Sequence, residues 1–188
     1  MGNSAMSLRP AIVIAAYNRP DSLSRLLSMV LTADYSDEVT VSLVISIDGG
    51  GSDEVIDLAK EFEWPFGDTE IIVHPQNLGL REHILSCGDL TDKYGAIILL
   101  EDDLLISPCF YQFAVAGVNS TALQNPDVVG VSLYNYRMNE TSLVRFYPVE
   151  DGFDNYYLQV PSSWGQVWSA NQWLGFREWY RENEAIDF

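Results

Sequence analysis

Three successive carboxylates, Glu101-Asp102-Asp103, follow directly on the apolar run Ala96-Ile97-Ile98-Leu99-Leu100. Like charges set this close repel and disfavour one another's ionisation, so a cation is their natural companion. Carboxylate oxygens are hard ligands suited to Mg2+ or Mn2+. A metal held there would bridge to phosphate oxygens and stabilise a diphosphate leaving group. The ordinary alternative, at about even weight, is a solvated acidic turn that ends a strand and leads into a helix beginning at Ser107-Pro108. Two more polar clusters also stand where an apolar run stops: Tyr17-Asn18-Arg19 after Ala11–Ala16, and Asp48-Gly49-Gly50-Gly51 after Ile47. Arg19 suits a phosphate or a base edge, or is simply a surface arginine. Asp48 suits hydrogen bonds from a base or ribose, or merely caps the turn that follows it. The glycines serve either a turn needing positive φ or a ligand pressed against the backbone.

The elements that must position these clusters alternate between short β-branched runs and longer amphipathic segments, the pattern of a mostly parallel sheet covered by helices. Ala11–Ala16 reads as a strand buried on both faces. Pro20-Asp21 opens a helix with Leu23, Leu26, Leu27 and Val30 on one side. Val39–Ile47 is a second strand, and Ser52 caps a helix whose inner face carries Val55, Ile56 and Ala59. Ile71–Val73 is a third strand, Leu80–Leu90 a helix, and Ala96–Leu100 a fourth strand. A helix from Ser107 to about Ala122 and a strand over Val128–Leu133 follow. Residues 134 to 173 concentrate the aromatic side chains, with an expected hairpin near 143–160 and a helix from about Gln166 to Tyr180. In an open parallel sheet, ligands bind beyond the carboxyl ends of the strands, where all three polar clusters fall.

The bulk properties narrow the classes. The chain has 188 residues, 47% of them hydrophobic and 20% charged, which suits one globular domain. A net charge of −17 repels nucleic acid, and repels a nucleotide diphosphate too unless a local cation intervenes. No signal peptide is present and no stretch reaches the roughly 18 apolar residues of a membrane span. Cys87 and Cys109 read as buried free thiols of a cytoplasmic protein. Residues 1–6 look like an expression scar, leaving 7–188 as one domain. Neither a GxGxxG fingerprint nor a lysine-bearing phosphate loop occurs, which counts against dinucleotide oxidoreductases and P-loop NTPases.

Taken together, an apolar strand ending in Ala16-Tyr17-Asn18-Arg19, a second ending in Ile47-Asp48-Gly49-Gly50, the segment His74-Pro75-Gln76-Asn77-Leu78-Gly79 and a strand ending in Glu101-Asp102-Asp103 resemble the GT-A glycosyltransferases. Leu100–Leu104 followed by Ser107-Pro108 and an aromatic-rich helix is similar to the N-acetylglucosaminyltransferase I type. The resemblance covers roughly residues 10 to 180. It implies a Rossmann-like GT-A domain that binds a UDP-sugar through Mn2+ or Mg2+ and transfers the sugar to a glycan or other hydroxyl acceptor. Asp103 would ligate the metal, while Glu101 and Asp102 would contact the ribose or order the metal's waters. Asp48 would read uracil, Tyr17 and Arg19 would lie beside the nucleotide, and Arg81 or His83 would approach it or its phosphates. For His83 a place on the helix surface is the more ordinary reading. Trp164-Gly165 would lie towards the acceptor, with core packing as the alternative for the tryptophan.

An inverting transferase needs a carboxylate base. In similar transferases it follows the helix matching Gln166–Tyr180, and no such position is clear here. Glu150 and Asp151 are substitutes, although a solvated hairpin tip is the more ordinary reading of that pair, and the base stays unassigned. The end at Phe188 leads us to expect a chain that continues, or a homo-oligomer covering the tryptophans, and hence donor binding with poor turnover. Two rivals remain. A nucleotidyltransferase shares the strand-end carboxylates but carries a glycine-rich basic loop where Ala16–Pro20 stands. A non-catalytic carbohydrate- or protein-binding module on the same fold needs no base.

Overall fold

β1 (Ala11–Ala16) is buried along its whole length, as an all-apolar run requires. Its side chains alternate between two cores: Ile12, Ile14 and Ala16 face one side of the sheet, Val13 and Ala15 the other. The computed structural model describes residues 7–35, 40–139, 141–159 and 162–184. The expected scar at 1–6, Val39 and the end at Phe188 lie outside the described residues.

α1 (Pro20–Leu31) starts on a proline that lacks only an N–H the first turn leaves free, and buries Leu23, Leu26, Leu27 and Val30. β2 (Leu43–Ile47) is shorter than the expected Val39–Ile47; Val41 precedes it, giving its N–H to Phe66 O at 2.9 Å. α2 (Asp53–Glu61) is capped as expected, Ser52 Oγ accepting from Glu54 N at 3.2 Å. β3 (Thr69–Val73), α3 (Gly79–Asp89), the single turn α4 (Thr91–Tyr94) and β4 (Ala96–Glu101) follow. α5 (Phe110–Val118) ends earlier than the expected Ala122. Asn119 stops it by turning its side chain onto the chain's beginning: Oδ1 accepts from Leu8 N at 2.7 Å, and Nδ2 donates to Leu8 O at 2.8 Å. A 3-10 turn over Thr121–Gln124 takes up the rest.

The region after α5 departs most from expectation. The strand expected over Val128–Leu133 contracts to β5 (Val131–Ser132). Among the described residues no hairpin spans 143–160; an isolated antiparallel bridge joins Met138 to Arg145 instead. Gln166–Ser169, expected to begin a helix, is β6, and α6 (Ala170–Asn183) starts behind it on the Ser169 cap. Val167 and Ser169 alternate as buried positions with Gln166 and Trp168, a period of two that satisfies the open edge of β4 before helical spacing sets in.

The six strands run in the order β3-β2-β1-β4-β6-β5. The first four are parallel; β6 is antiparallel to both β4 and β5. The order runs outward from β1 to β3, then jumps back across β1 to β4. The switch point, where adjacent connections leave in opposite directions and open a crevice, lies beyond the carboxyl ends of β1 and β4. No helix among the described residues is long and apolar enough to cross a membrane.

On the face opposite α1, α3 and α6 meet through Trp173, whose Nε1 donates to Asp89 Oδ1 at 2.8 Å while Arg177 Nε pairs with the same oxygen at 3.1 Å. The indole lies flat against Gly88, where an added Cβ would fall 1.9 Å from the ring. Gly88→Ala is therefore expected to cost about 1–3 kcal/mol through overpacking. Urea unfolding checks it: the midpoint should drop with the slope unchanged, and an unaltered midpoint would mean that the ring moves aside freely.

Candidate active site at the switch point

Three strand ends and the start of α3 enclose a cleft of about 420 Å3. Its walls are Ala15 to Arg19 after β1, Asp48 after β2, Asn77, Gly79, Leu80, His83 and Ile84 on the α3 side, and Glu101 with Asp102 from β4. Backbone bonds hold the strand ends together, Asp48 N donating to Ala16 O at 2.9 Å and Asp102 N to Ala15 O at 3.1 Å. Of the residues singled out in the sequence, Tyr17, Arg19, Asp48, His83, Glu101 and Asp102 thus line one cleft.

Asp48 is buried, and its carboxylate gathers backbone N–H groups: Gly49 at 2.8 Å and Leu78 at 2.7 Å on Oδ1, Gly79 at 3.1 Å on Oδ2. Burial alone would raise its pKa, but these bonds and the nearby His83 outweigh burial and hold it below the usual value. Oδ2 keeps one acceptor position for a ligand. The glycines beside it answer the question of turn or close approach with both. Gly50 takes φ +73°, while a Cβ on Gly49 would fall 2.2 Å from the Gln76 carbonyl carbon and one on Gly51 2.1 Å from Tyr17 O. The close approach is by the protein's own backbone.

Arg19 is the cation of the acidic cluster. Nη2 meets Asp102 Oδ1 at 2.6 Å and Nη1 meets Asp103 Oδ2 at 2.5 Å. Asp102 is 1% exposed and also accepts from Tyr17 N at 3.4 Å, so it is a strut between β1 and β4. Its pKa is raised by burial, which Arg19 only partly offsets; burial and then Asp103 raise that of Glu101. Asp103 is 44% exposed in its side chain; it does not itself line the cleft but pairs with Arg19, which does. The residues fit a hard divalent cation in one way. Among the described residues no three His, Cys, Asp or Glu side chains converge into a cage. An exposed Asp103 beside Glu101 instead offers the one or two carboxylates that such ions take together with phosphate oxygens and water.

Three expectations are corrected. His83 is not on the helix surface: it is 4% exposed, packed beneath α3 with Nε2 at 2.9 Å from Ser46 Oγ. Cys109 is exposed rather than buried, while Cys87 is buried and its thiol pushed up to about 11 by desolvation. Trp164 is 48% exposed, edge-on to Tyr134 with ring centroids 4.6 Å apart, and so is not core. Arg81 is exposed on the first turn of α3 and does not line the cleft. Neither do Glu150 and Asp151, which are exposed; Asp151 Oδ1 accepts from Phe153 N at 3.1 Å within its own turn. Ser46 and His74, which join His83 below the cleft, carried no sign of a site role in the sequence: Ser46 lies inside β2, and His74 follows β3 in a segment without a charged cluster.

Known structures share this architecture. The mannosyltransferase PcManGT from Pyrobaculum calidifontis, solved in complex with GDP-Man and Mn2+, matches with a TM-score of 0.50 at 14% identity, over 67% of this chain and 36% of that one. The fold is that of the GT-A glycosyltransferases. Galactosyltransferase LgtC, in complex with donor and acceptor sugar analogs, matches at 0.48 and 12% identity over 95% of this chain and 66% of its own. TarS residues 1–349 from S. aureus match at 0.48 and 14% identity over 58% of this chain and 32% of theirs. This chain thus spans about a third of the length of TarS 1–349 and of PcManGT. No family model and no curated protein matches the sequence.

Proposed function

We propose that this chain is the nucleotide-sugar-binding domain of a metal-dependent glycosyltransferase, taking a UDP-sugar and passing the sugar to a glycan or other acceptor hydroxyl. The observation that carries this reading is the convergence of Asp48, Arg19, Glu101 and Asp102 from three strand ends on one cleft at the switch point, with Asp103 tied to that cleft through its ion pair to Arg19. Asp48 Oδ2 accepts a uracil N–H with its remaining lone pair. Arg19 has five N–H donors and spends two on the aspartates, leaving the others for phosphate oxygens. Tyr17 closes the nucleotide side of the cleft, while Arg81, outside its lining, is at most a residue that approaches the phosphates from α3. Asp103 holds Mn2+ or Mg2+, with Glu101 and Asp102 ordering its water shell. When bound there, the ion would supply charge neutralisation for the nucleoside diphosphate leaving group. Glu150 and Asp151 are the carboxylates to replace first in a search for the base.

Calorimetry with UDP, with and without Mn2+, tests the reading. Binding is expected to need the metal and to favour UDP over ADP, by a margin of about 1–3 kcal/mol for a hydrogen bond lost in a desolvated site. Equal UDP affinity with and without Mn2+ sinks the metal, and equal affinity for UDP and ADP sinks the role of Asp48. Incubation with UDP-sugars, Mn2+ and glycan acceptors tests transfer.

A further inference from the structure

Two sets of anions call on Arg19. Its guanidinium spans the acidic cluster, Nη2 to Asp102 Oδ1 at 2.6 Å and Nη1 to Asp103 Oδ2 at 2.5 Å. Among the described residues that line the cleft it is also the one arginine or lysine, and so the natural partner of a diphosphate bound there. The two ion pairs are unequal. Asp102 is 1% exposed and braced twice more, its N–H on Ala15 O at 3.1 Å and its Oδ2 accepting from Tyr17 N at 3.4 Å. Asp103 stands on the turn that Leu104 N closes onto Glu101 O at 3.2 Å, and both it and Arg19 are about half exposed. An ion pair between two such side chains is weak. The backbone of Arg19 is pinned ahead of Pro20, its carbonyl accepting from Leu23 N at 3.0 Å. Only the side chain is free to change partners, and it can pivot on the buried Asp102 while releasing Asp103. A divalent ion held by Asp103 would stand beside that guanidinium, and like charges repel.

We infer that Arg19 is an internal counter-cation that keeps a free divalent ion off Asp103 and yields that residue when a diphosphate offers Nη1 a new partner. The site then takes the ion and the diphosphate together, as a chelate, in preference to the ion alone. The coupling is reciprocal: a diphosphate that draws Arg19 away strengthens the hold on the ion by the factor with which the ion strengthens the hold on the diphosphate. The exchange rests on the nucleotide reading above, whereas the competition for Asp103 needs no nucleotide.

Mn2+ alone is the first probe. The electron paramagnetic resonance signal of the unbound ion, followed as protein is added without nucleotide, reads its affinity. Arg19→Gln is expected to tighten Mn2+ about tenfold, because a unit charge beside the ion is removed at a half-exposed place. Adding Asp103→Ala to that variant is expected to cancel the gain, which separates Asp103 from the other carboxylates of a chain with net charge −17. Arg19→Lys serves if Asp102 left without a cation prevents folding. Its single ammonium stays on Asp102 and frees Asp103, with an expected gain of about threefold from the outer ion pair alone. UDP is the second probe. It is expected to tighten Mn2+ in the unmutated protein, and to do so by an about tenfold smaller factor in Arg19→Gln, where no guanidinium remains to exchange. Equal affinity for Mn2+ alone in the variants and the unmutated protein overturns the inference, as does a gain that survives Asp103→Ala. If the unmutated protein takes Mn2+ with UDP and the variants still match it, the proposed function stands and this inference falls. If UDP has no effect on the unmutated protein, the nucleotide reading falls and the exchange with it, and Mn2+ alone still decides whether Arg19 guards Asp103.

Discussion

Replacing Asp48 with alanine is expected to remove about 3–5 kcal/mol of folding stability, since bonds to a charged acceptor contribute roughly 1.5–3 kcal/mol each and do not add fully. Gly49, Leu78 and Gly79 would lose their acceptor together, and the segment before α3 would come loose from the end of β2. Asp48→Asn should fall between, because its amide NH2 faces one of these N–H groups. Urea unfolding measures both, and a loss below about 1 kcal/mol in the alanine variant would mean that other contacts hold residues 74–79 in place.

The same carboxylate sets the acid limit. Its pKa is below the ordinary 3.8, so the stability it contributes is fully present above 3.8 and is lost as the pH falls through the lower, folded value. Glu101 and Asp102 work in the opposite sense. Their folded pKa values are raised, so their ionised forms disfavour folding at neutral pH, and protonation relieves this as the pH falls through those values. Stability measured downward from pH 7 should therefore gain a contribution from these two groups before the loss due to Asp48 begins. Asp48→Ala should keep the first and lack the second.

Asp103→Ala is expected to abolish the Mn2+-dependent part of UDP affinity while changing stability by less than about 0.5 kcal/mol, as exposed substitutions usually do. Its partner Arg19 is itself 48% exposed and keeps Asp102. Asp102→Ala should behave differently. A side chain 1% exposed is removed, Tyr17 N loses its acceptor and Arg19 its inner anchor, at a cost of about 1–3 kcal/mol. Parallel calorimetry and unfolding on the two variants read the contrast. Undiminished Mn2+ dependence in Asp103→Ala removes that residue from the metal site, and equal stability losses would mean that both aspartates brace the fold.

The sequence by itself determined β1, β4, α1 and α2, because an all-apolar run of strand length, a proline at a first turn and a serine cap act locally. With the parallel pattern recognised, it also put the three polar clusters at strand ends, where Tyr17, Arg19, Asp48, Glu101 and Asp102 indeed line one cleft. Contacts distant in sequence decided the rest. Gln166–Ser169 pairs as a strand because the edge of β4 is open 65 or more residues earlier in the chain, and a short run beside a helix pattern carries no local sign of that edge. The aromatic segment from 134 to 160 has β-rich composition, yet among its described residues only a bridge at Met138 and Arg145 forms. Arg19 reaches both aspartates, and His83 reaches Ser46 beneath the sheet, through a strand order that folding alone establishes. Periodicity reports which face of an element is apolar; which side chain meets a buried histidine or an aspartate 84 residues away depends on register and crossover.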